Sequence, residues 1–133
     1  MNVINKIGIA VIKNRKLLMV RSYRNESVFY ILGGKPEEGE TEIDCLIREI
    51  DEEVSGTLVQ ESLLYLSEFQ AESHDKPNTI VKLKLYMGDV LGRLEPNNEI
   101  AEIDYFDSNS DPKHLSELTK KIISWLANRC YIA

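Results

Sequence analysis

The stretch GGKPEEGETEIDCLIREIDEEVSG, Gly33 to Gly56, decides how this chain is read. It opens as a glycine-rich loop and continues in a helical pattern on which Glu49, Glu52 and Glu53 stand at i, i+3 and i+4. At about 100° per residue these carboxylates share an arc of roughly 100° on one helix face. A solvated acidic face is the ordinary reading of such a pattern. Three like charges this close repel, however, unless a cation joins them.

Hard divalent cations prefer oxygen ligands, and Mg²⁺ binds through a few carboxylates while keeping waters and phosphate oxygens in its shell. The acidic face therefore reads as a platform for Mg²⁺ or Mn²⁺, and several carboxylates in one place imply more than one ion. Ile43, Leu46, Ile47, Ile50 and Val54 recur at a 3.6 period on the other side, an apolar stripe expected to pack on a sheet.

These residues resemble the signature of the Nudix hydrolases, G-x5-E-x7-R-E-U-x-E-E-x-G-U, where U is a bulky aliphatic residue. Gly34, Glu40, Arg48, Glu49, Ile50, Glu52 and Glu53 match it in type and spacing, and the preceding FYILGG is similar to the family's W-x-L-P-G-G, with Phe29 in the aromatic position. Three positions of this box, which runs to Gly56, depart. Leu32 replaces a proline, which loosens the loop without removing a ligand. Ser55 stands in place of glycine and Gly56 in place of an aliphatic residue. Glycine favours the left-handed position just past a helix end, so the cap is expected to move one residue along, to Gly56.

The resemblance implies an α/β fold, a Nudix-like α/β/α sandwich with a mixed central β-sheet. It implies cleavage of a phosphoanhydride in a nucleoside diphosphate linked to another group, by metal-assisted attack of water on phosphorus. By position, Glu49, Glu52 and Glu53 resemble the family's metal ligands and the Gly33 carbonyl its backbone ligand. Glu40 and Arg48 resemble the supporting pair, with Arg48 orienting carboxylates through charge-assisted hydrogen bonds. Many members add a carboxylate before a late strand. In the segment EIAEIDYF either Glu99 or Glu102 could supply it, Glu99 being favoured because it sits in the loop.

Composition agrees with a single domain over residues 1–133. The chain is 43 % apolar and carries a net charge of −6, which argues against a nucleic-acid duplex as partner, since backbone phosphates attract a basic face. No apolar run is long enough to span a membrane, and MNVINKIGIA lacks the order of a signal peptide, so a cytoplasmic protein is expected. Cys45 and Cys130 form neither a C-x-x-C pair nor a zinc-ligand spacing and read as reduced thiols.

Along the chain, Val3–Ile12 and Leu17–Arg21 read as a hairpin around Lys13, Asn14 and Arg15. A strand over Val28–Leu32 leads to Gly33. Thr41 is the expected N-cap of the acidic helix. Thr57–Gln70 and Thr79–Val90 flank the polar tip AESHDKPN as an antiparallel pair, with Val81, Leu83 and Leu85 on the buried side. The loop LGRLEPNNE, a candidate lid or catalytic segment, precedes a strand over Ile100–Phe106. Asp111-Pro112 reads as the start of a last helix carrying Leu115, Leu118, Ile122, Trp125 and Leu126 on its apolar stripe.

For the substrate, Arg21, Arg24 and Lys35 flank the glycine loop and are candidates for contacts to non-bridging oxygens. Phe29, Tyr23 and Tyr30 are candidates for stacking on a base, but neighbouring strand residues face opposite sides, so Phe29 and Tyr30 cannot line one pocket. Phe29 is the expected one. A chain of this length, monomer or homodimer, suits a compact site open to a small nucleotide, which favours nucleoside triphosphates. Nucleotide sugars, ADP-ribose and dinucleoside polyphosphates are the alternatives, as is a module that senses a nucleotide without cleaving it.

Overall fold

The computed structural model describes residues 1–24 and 27–133. In chain order the elements are β1 (Asn2–Ala10), β2 (Ile12–Lys13), β3 (Lys16–Ser22), β4 (Tyr30–Gly34), α1 (Glu42–Val54), β5 (Thr57–Leu58), β6 (Leu64–Glu72), β7 (Thr79–Met87), β8 (Val90–Leu91), β9 (Ile100–Phe106) and α2 (Glu117–Asn128). Seven strands form one mixed sheet in the order β2-β3-β4-β1-β7-β6, with β9 on the free edge of β3. Among the described strands of this sheet β1 and β7 run parallel and the other pairs are antiparallel. β5 and β8 make a separate two-stranded ribbon.

Strand alternation divides the core into two layers. Leu18 and Val20 of β3, with Ile7 and Ile9 of β1, face α1 and meet Cys45, Leu46, Ile50 and Val54. Leu17 and Met19, with Ile31, Leu83 and Leu85, face α2 and meet Ile122, Ile123 and Leu126. The sandwich is therefore the expected one, with a helix on each face of the sheet. Among the described residues no helix is long and apolar enough to cross a membrane. Cys45 and Cys130 are both free thiols.

The antiparallel pair β6–β7, the turn at Lys13–Lys16 and the Thr41 cap, whose hydroxyl accepts from the Asp44 amide, fall where the sequence places them. Several details differ. β1 is not the hairpin partner of β3. Only the two residues of β2 are, and β1 instead lies between β4 and β7, because a long apolar strand is stabilised more by two partners than at an edge. On α1, Ile43 and Ile47 stay largely exposed while Cys45 takes the core position, so the buried stripe is rotated toward the acids. The run from Thr57 is broken by a 3-10 turn at Gln60–Ser62. Asp111-Pro112 starts another 3-10 turn, and α2 itself begins only after Ser116, whose hydroxyl caps Thr119.

The left-handed residue at the end of α1 is Ser55, at φ 55° and ψ 37°, not Gly56. Gly56 is required for space, since a Cβ there would lie 2.5 Å from Val90 Cγ1 and 2.9 Å from Leu94 Cδ2.

Candidate active site

The site forms where β4 leaves the sheet and α1 crosses over it. β4 pairs with β1 in the register Ile7↔Gly34, Gly8↔Gly33 and Ile9↔Leu32. Gly33 takes φ 137°, and a Cβ on it would stand 2.0 Å from the Ile7 carbonyl oxygen. At Gly34 a Cβ would come within 2.6 Å of Glu49 Oε1. The glycine pair thus keeps this corner open, with bare backbone against the acidic helix.

Around α1 the three acids run from solvent into the core. Glu52 is half exposed, Glu49 is mostly covered and Glu53 is buried, at 4 % exposure. Burial pushes the Glu53 carboxyl up to about 8, against the opposing hydrogen bond from the Gly33 amide to its Oε1 at 2.9 Å. Burial also raises the Glu49 carboxyl, and Arg48 pulls against it.

Arg48 organises the acids. Its Nε and Nη2 donate to the two carboxylate oxygens of Glu40 at 2.8 and 2.9 Å, Nη1 donates to Glu49 Oε1 at 2.7 Å and reaches Glu52 at 3.5 Å, and Nη2 also donates to the Lys35 carbonyl at 3.1 Å. This fork, with the Glu37 amide, holds the Glu40 carboxyl down to about 2. Arg48 and Glu40, matched from the sequence, are therefore in direct contact. Glu42 anchors the first turn of α1 to β7, accepting from the Tyr86 hydroxyl at 2.5 Å and from Lys84 Nζ at 2.9 Å.

The loop LGRLEPNNE is docked, not free. The amides of Glu95 and Asn97 donate to the carbonyls of Val54 and Glu53, and Asn98 Nδ2 donates to the Glu52 carbonyl at 2.9 Å. These bonds satisfy carbonyls left open at the end of α1. They bring the next residue, Glu99, close enough that its charge raises both Glu49 and Glu53. Glu102 lies elsewhere. Paired with Arg21 and alternating in step with Phe106, it projects on the α2 face, where Arg21 holds it through Nε and Nη2 at 3.1 and 3.0 Å.

A cavity of about 360 Å³ opens from the glycine corner, lined among others by Lys6, Tyr30, Ile31, Leu83 and Glu99, with Arg24 at its rim. Arg21 and Phe29 are not brought to it. Phe29 is buried, 5.0 Å from the Phe106 ring, and both line a separate depression with Glu102. The alternation argument holds, but Tyr30 is the member that faces the acids. Burial and the nearby Glu53 charge raise its phenol to about 12, so it stays a neutral donor. Lys35 contributes its carbonyl to Arg48. Sequence reasoning missed Lys6 and the Glu42–Tyr86 anchor, because only the parallel pairing of β1 with β7 brings them into place.

Among the described residues, no three acid, histidine or cysteine side chains close on a point as a ready-made metal cage. Mg²⁺ does not require one, since it keeps several waters and takes one or two carboxylates beside substrate phosphates. The donors at this corner are all oxygen, and the space at Gly34 that a Cβ would fill lies against Glu49. The residues fit a hard cation.

Comparison with known proteins agrees. The family described as NUDIX domain matches residues 5–126. An ADP-ribose pyrophosphatase of Methanocaldococcus jannaschii is 26 % identical over 103 residues, which is 76 % of this chain and 60 % of that protein, so the chain spans under two thirds of that relative's length. A nudix hydrolase family member from Chromobacterium violaceum superposes with a TM-score of 0.73 at 25 % identity, covering 96 % of this chain and 78 % of the other. A bifunctional NMN adenylyltransferase/ADP ribose pyrophosphatase from Francisella tularensis, complexed with AMP and a manganese ion, superposes with a TM-score of 0.69 at 23 % identity, covering 98 % and 42 %. With the family matched over nearly the whole chain, and the glycine corner facing the acids of α1, this chain belongs to the NUDIX domain family.

Proposed function

We propose that this chain is a Nudix pyrophosphohydrolase that cleaves a phosphoanhydride bond in a nucleoside diphosphate linked to another group, and that its substrate is a small nucleoside triphosphate. The observation that carries the reading is the set of Glu53, Glu49 and Glu52, graded in that order from buried to exposed beside the open Gly33–Gly34 backbone at the mouth of a cavity. Glu49, Glu52, Glu53 and the Gly33 carbonyl would hold Mg²⁺ or Mn²⁺. Such cations acidify water and offset the charge that develops on phosphoryl oxygens.

The chain's own groups do the rest. Arg48 fixes Glu40 and Glu49 so that they do not swing as the substrate enters. Glu99, carried on a loop bonded to the end of α1, would accept a proton near the reacting phosphate. Arg24 at the cavity rim and the neutral Tyr30 hydroxyl offer donors to substrate oxygens. ADP-ribose is the second reading, favoured by the similarity to the M. jannaschii ADP-ribose pyrophosphatase.

The test is a panel of nucleoside triphosphates, ADP-ribose, nucleotide sugars and dinucleoside polyphosphates with Mg²⁺ or Mn²⁺, compared by kcat/KM. Phosphate-containing products should appear and EDTA should abolish them. Full activity in chelator would remove the metal reading. Faster turnover of ADP-ribose than of every triphosphate would select the second reading, and tight binding without turnover would indicate a sensor.

A further inference from the structure

The cavity carries a cation that the acids do not explain. Lys6 is the register partner of Leu83 in the parallel β1–β7 pair, and laterally paired residues project from the same face of a sheet. Lys6 therefore stands on the α2 side with Leu83 and Ile31, whereas its neighbour Ile7 packs toward α1. Gly8, next on the Lys6 side, keeps that surface flat: a Cβ there would press on Ile31 Cγ2 at 3.1 Å and on Leu83 at 3.2 Å. The result is an apolar floor of Ile31, Leu83 and Ile122 with one ammonium at its side.

Lys6 is partly buried as a residue, and among the described residues its ammonium makes no hydrogen bond or ion pair. Lysine ordinarily keeps its head in water, and an enclosed charge without a partner is costly. Burial accordingly lowers the Lys6 pKa, with the charges of Asp75 and Glu53 only partly opposing it. A planar ring laid on the floor would present its edge to Lys6. Because an ammonium donates and never accepts, it is served by an acceptor at the base edge and opposed by an exocyclic amino group, so a 6-oxo edge suits it better than a 6-amino edge.

We infer that Lys6 selects the base, its ammonium donating to an exocyclic oxygen of a nucleobase lying on the Ile31–Leu83 floor, so that this chain prefers oxo-bearing bases such as guanine over adenine. The inference deepens the nucleotide-hydrolase reading above and rests on it.

The experiment compares wild type, Lys6→Met and Lys6→Arg on guanosine and adenosine triphosphates with Mg²⁺, and in parallel measures binding of the α,β-methylene analogues of both. Wild type should favour the guanosine compound by about tenfold or more in kcat/KM and in Kd, the scale of one hydrogen bond to a charged group. Lys6→Met should bring both ratios near one through KM, with kcat held within about twofold, and Lys6→Arg should restore the preference. A loss in Lys6→Met that is equal for both bases would assign Lys6 to the phosphate chain and overturn the inference. So would a wild type that does not distinguish the bases, or binds neither analogue. If wild type hydrolyses no nucleotide, the catalytic reading fails, and the binding ratio of the analogues still decides the role of Lys6.

Discussion

The amide of Gly33 donates to Oε1 of Glu53 at 2.9 Å, a bond that joins the open corner of β4 to the most buried acid of α1. Without a cation this is the main polar partner of that carboxyl, which is why burial prevails and its pKa rises to about 8.

A pH dependence of stability follows for the cation-free protein. Folded, Glu53 keeps its proton up to about pH 8, whereas the unfolded chain releases it near 4.5. Between those values the unfolded state binds fewer protons, so stability falls as pH rises through the window and levels off above it. Below the window Glu40 acts in the opposite sense, since Arg48 holds its carboxyl at about 2 and acid removes that contribution. Denaturant midpoints in chelator should therefore drop from about pH 5 to about pH 8 in wild type, and much less in Glu53→Gln. A wild-type midpoint that climbs across this interval would contradict the burial argument.

The Glu52 side chain is half exposed and, among the described residues, is met by the outer nitrogen of Arg48 at 3.5 Å, so it contributes little to the fold. Glu52→Gln should keep or slightly raise the melting temperature in chelator, because repulsion among the acids is relieved. Its kcat should fall by about 100-fold or more, the scale of losing a main electrostatic contributor. An unchanged rate at saturating Mg²⁺ would exclude Glu52 as a ligand.

Glu99 and Glu102 are close in sequence and sit on different faces. Glu99→Gln should lower kcat by about tenfold or more and shift the pH-rate profile, as the loss of a proton acceptor does. Glu102→Gln should leave the profile in place, since that carboxylate answers to Arg21 on the α2 side. Equal losses in both variants would mean that the two act through the stability of β9.

Ser55 holds a left-handed conformation that costs a side chain about 1 kcal/mol relative to glycine. Ser55→Gly should raise the unfolding free energy by about that amount. Gly56→Ala should lower it, because the new methyl collides with Val90 and Leu94. Denaturation of the two single variants checks both signs, and a loss of stability in Ser55→Gly would place the left-handed residue at Gly56 instead.

Much of the site was legible because it is local. The spacing of Glu49, Glu52 and Glu53, the Arg48–Glu40 pair and the Thr41 cap are written within one loop and helix, where one period relates sequence to geometry. The two-faced sheet was legible from alternation. Periodicity could not say which way alternation points, so Phe29 was expected at the cavity and Tyr30 was found there. It also could not say that β1 would sit between β4 and β7, a long-range pairing that decides the surroundings of Lys6. On α1 it set the apolar stripe on Ile43 and Ile47, because an acid as buried as Glu53 is not anticipated from polarity.

The β1–β4 register has a further consequence for quality control during folding. A slip of β4 by two residues would preserve every inward and outward side chain, and so most of the apolar burial, yet it would put a side chain where Gly33 passes 2.0 Å (as measured to its would-be Cβ) from the Ile7 carbonyl. The glycine thus penalises misalignment: a slipped chain sets a side chain against the Ile7 carbonyl and withdraws the Gly33 amide from Glu53.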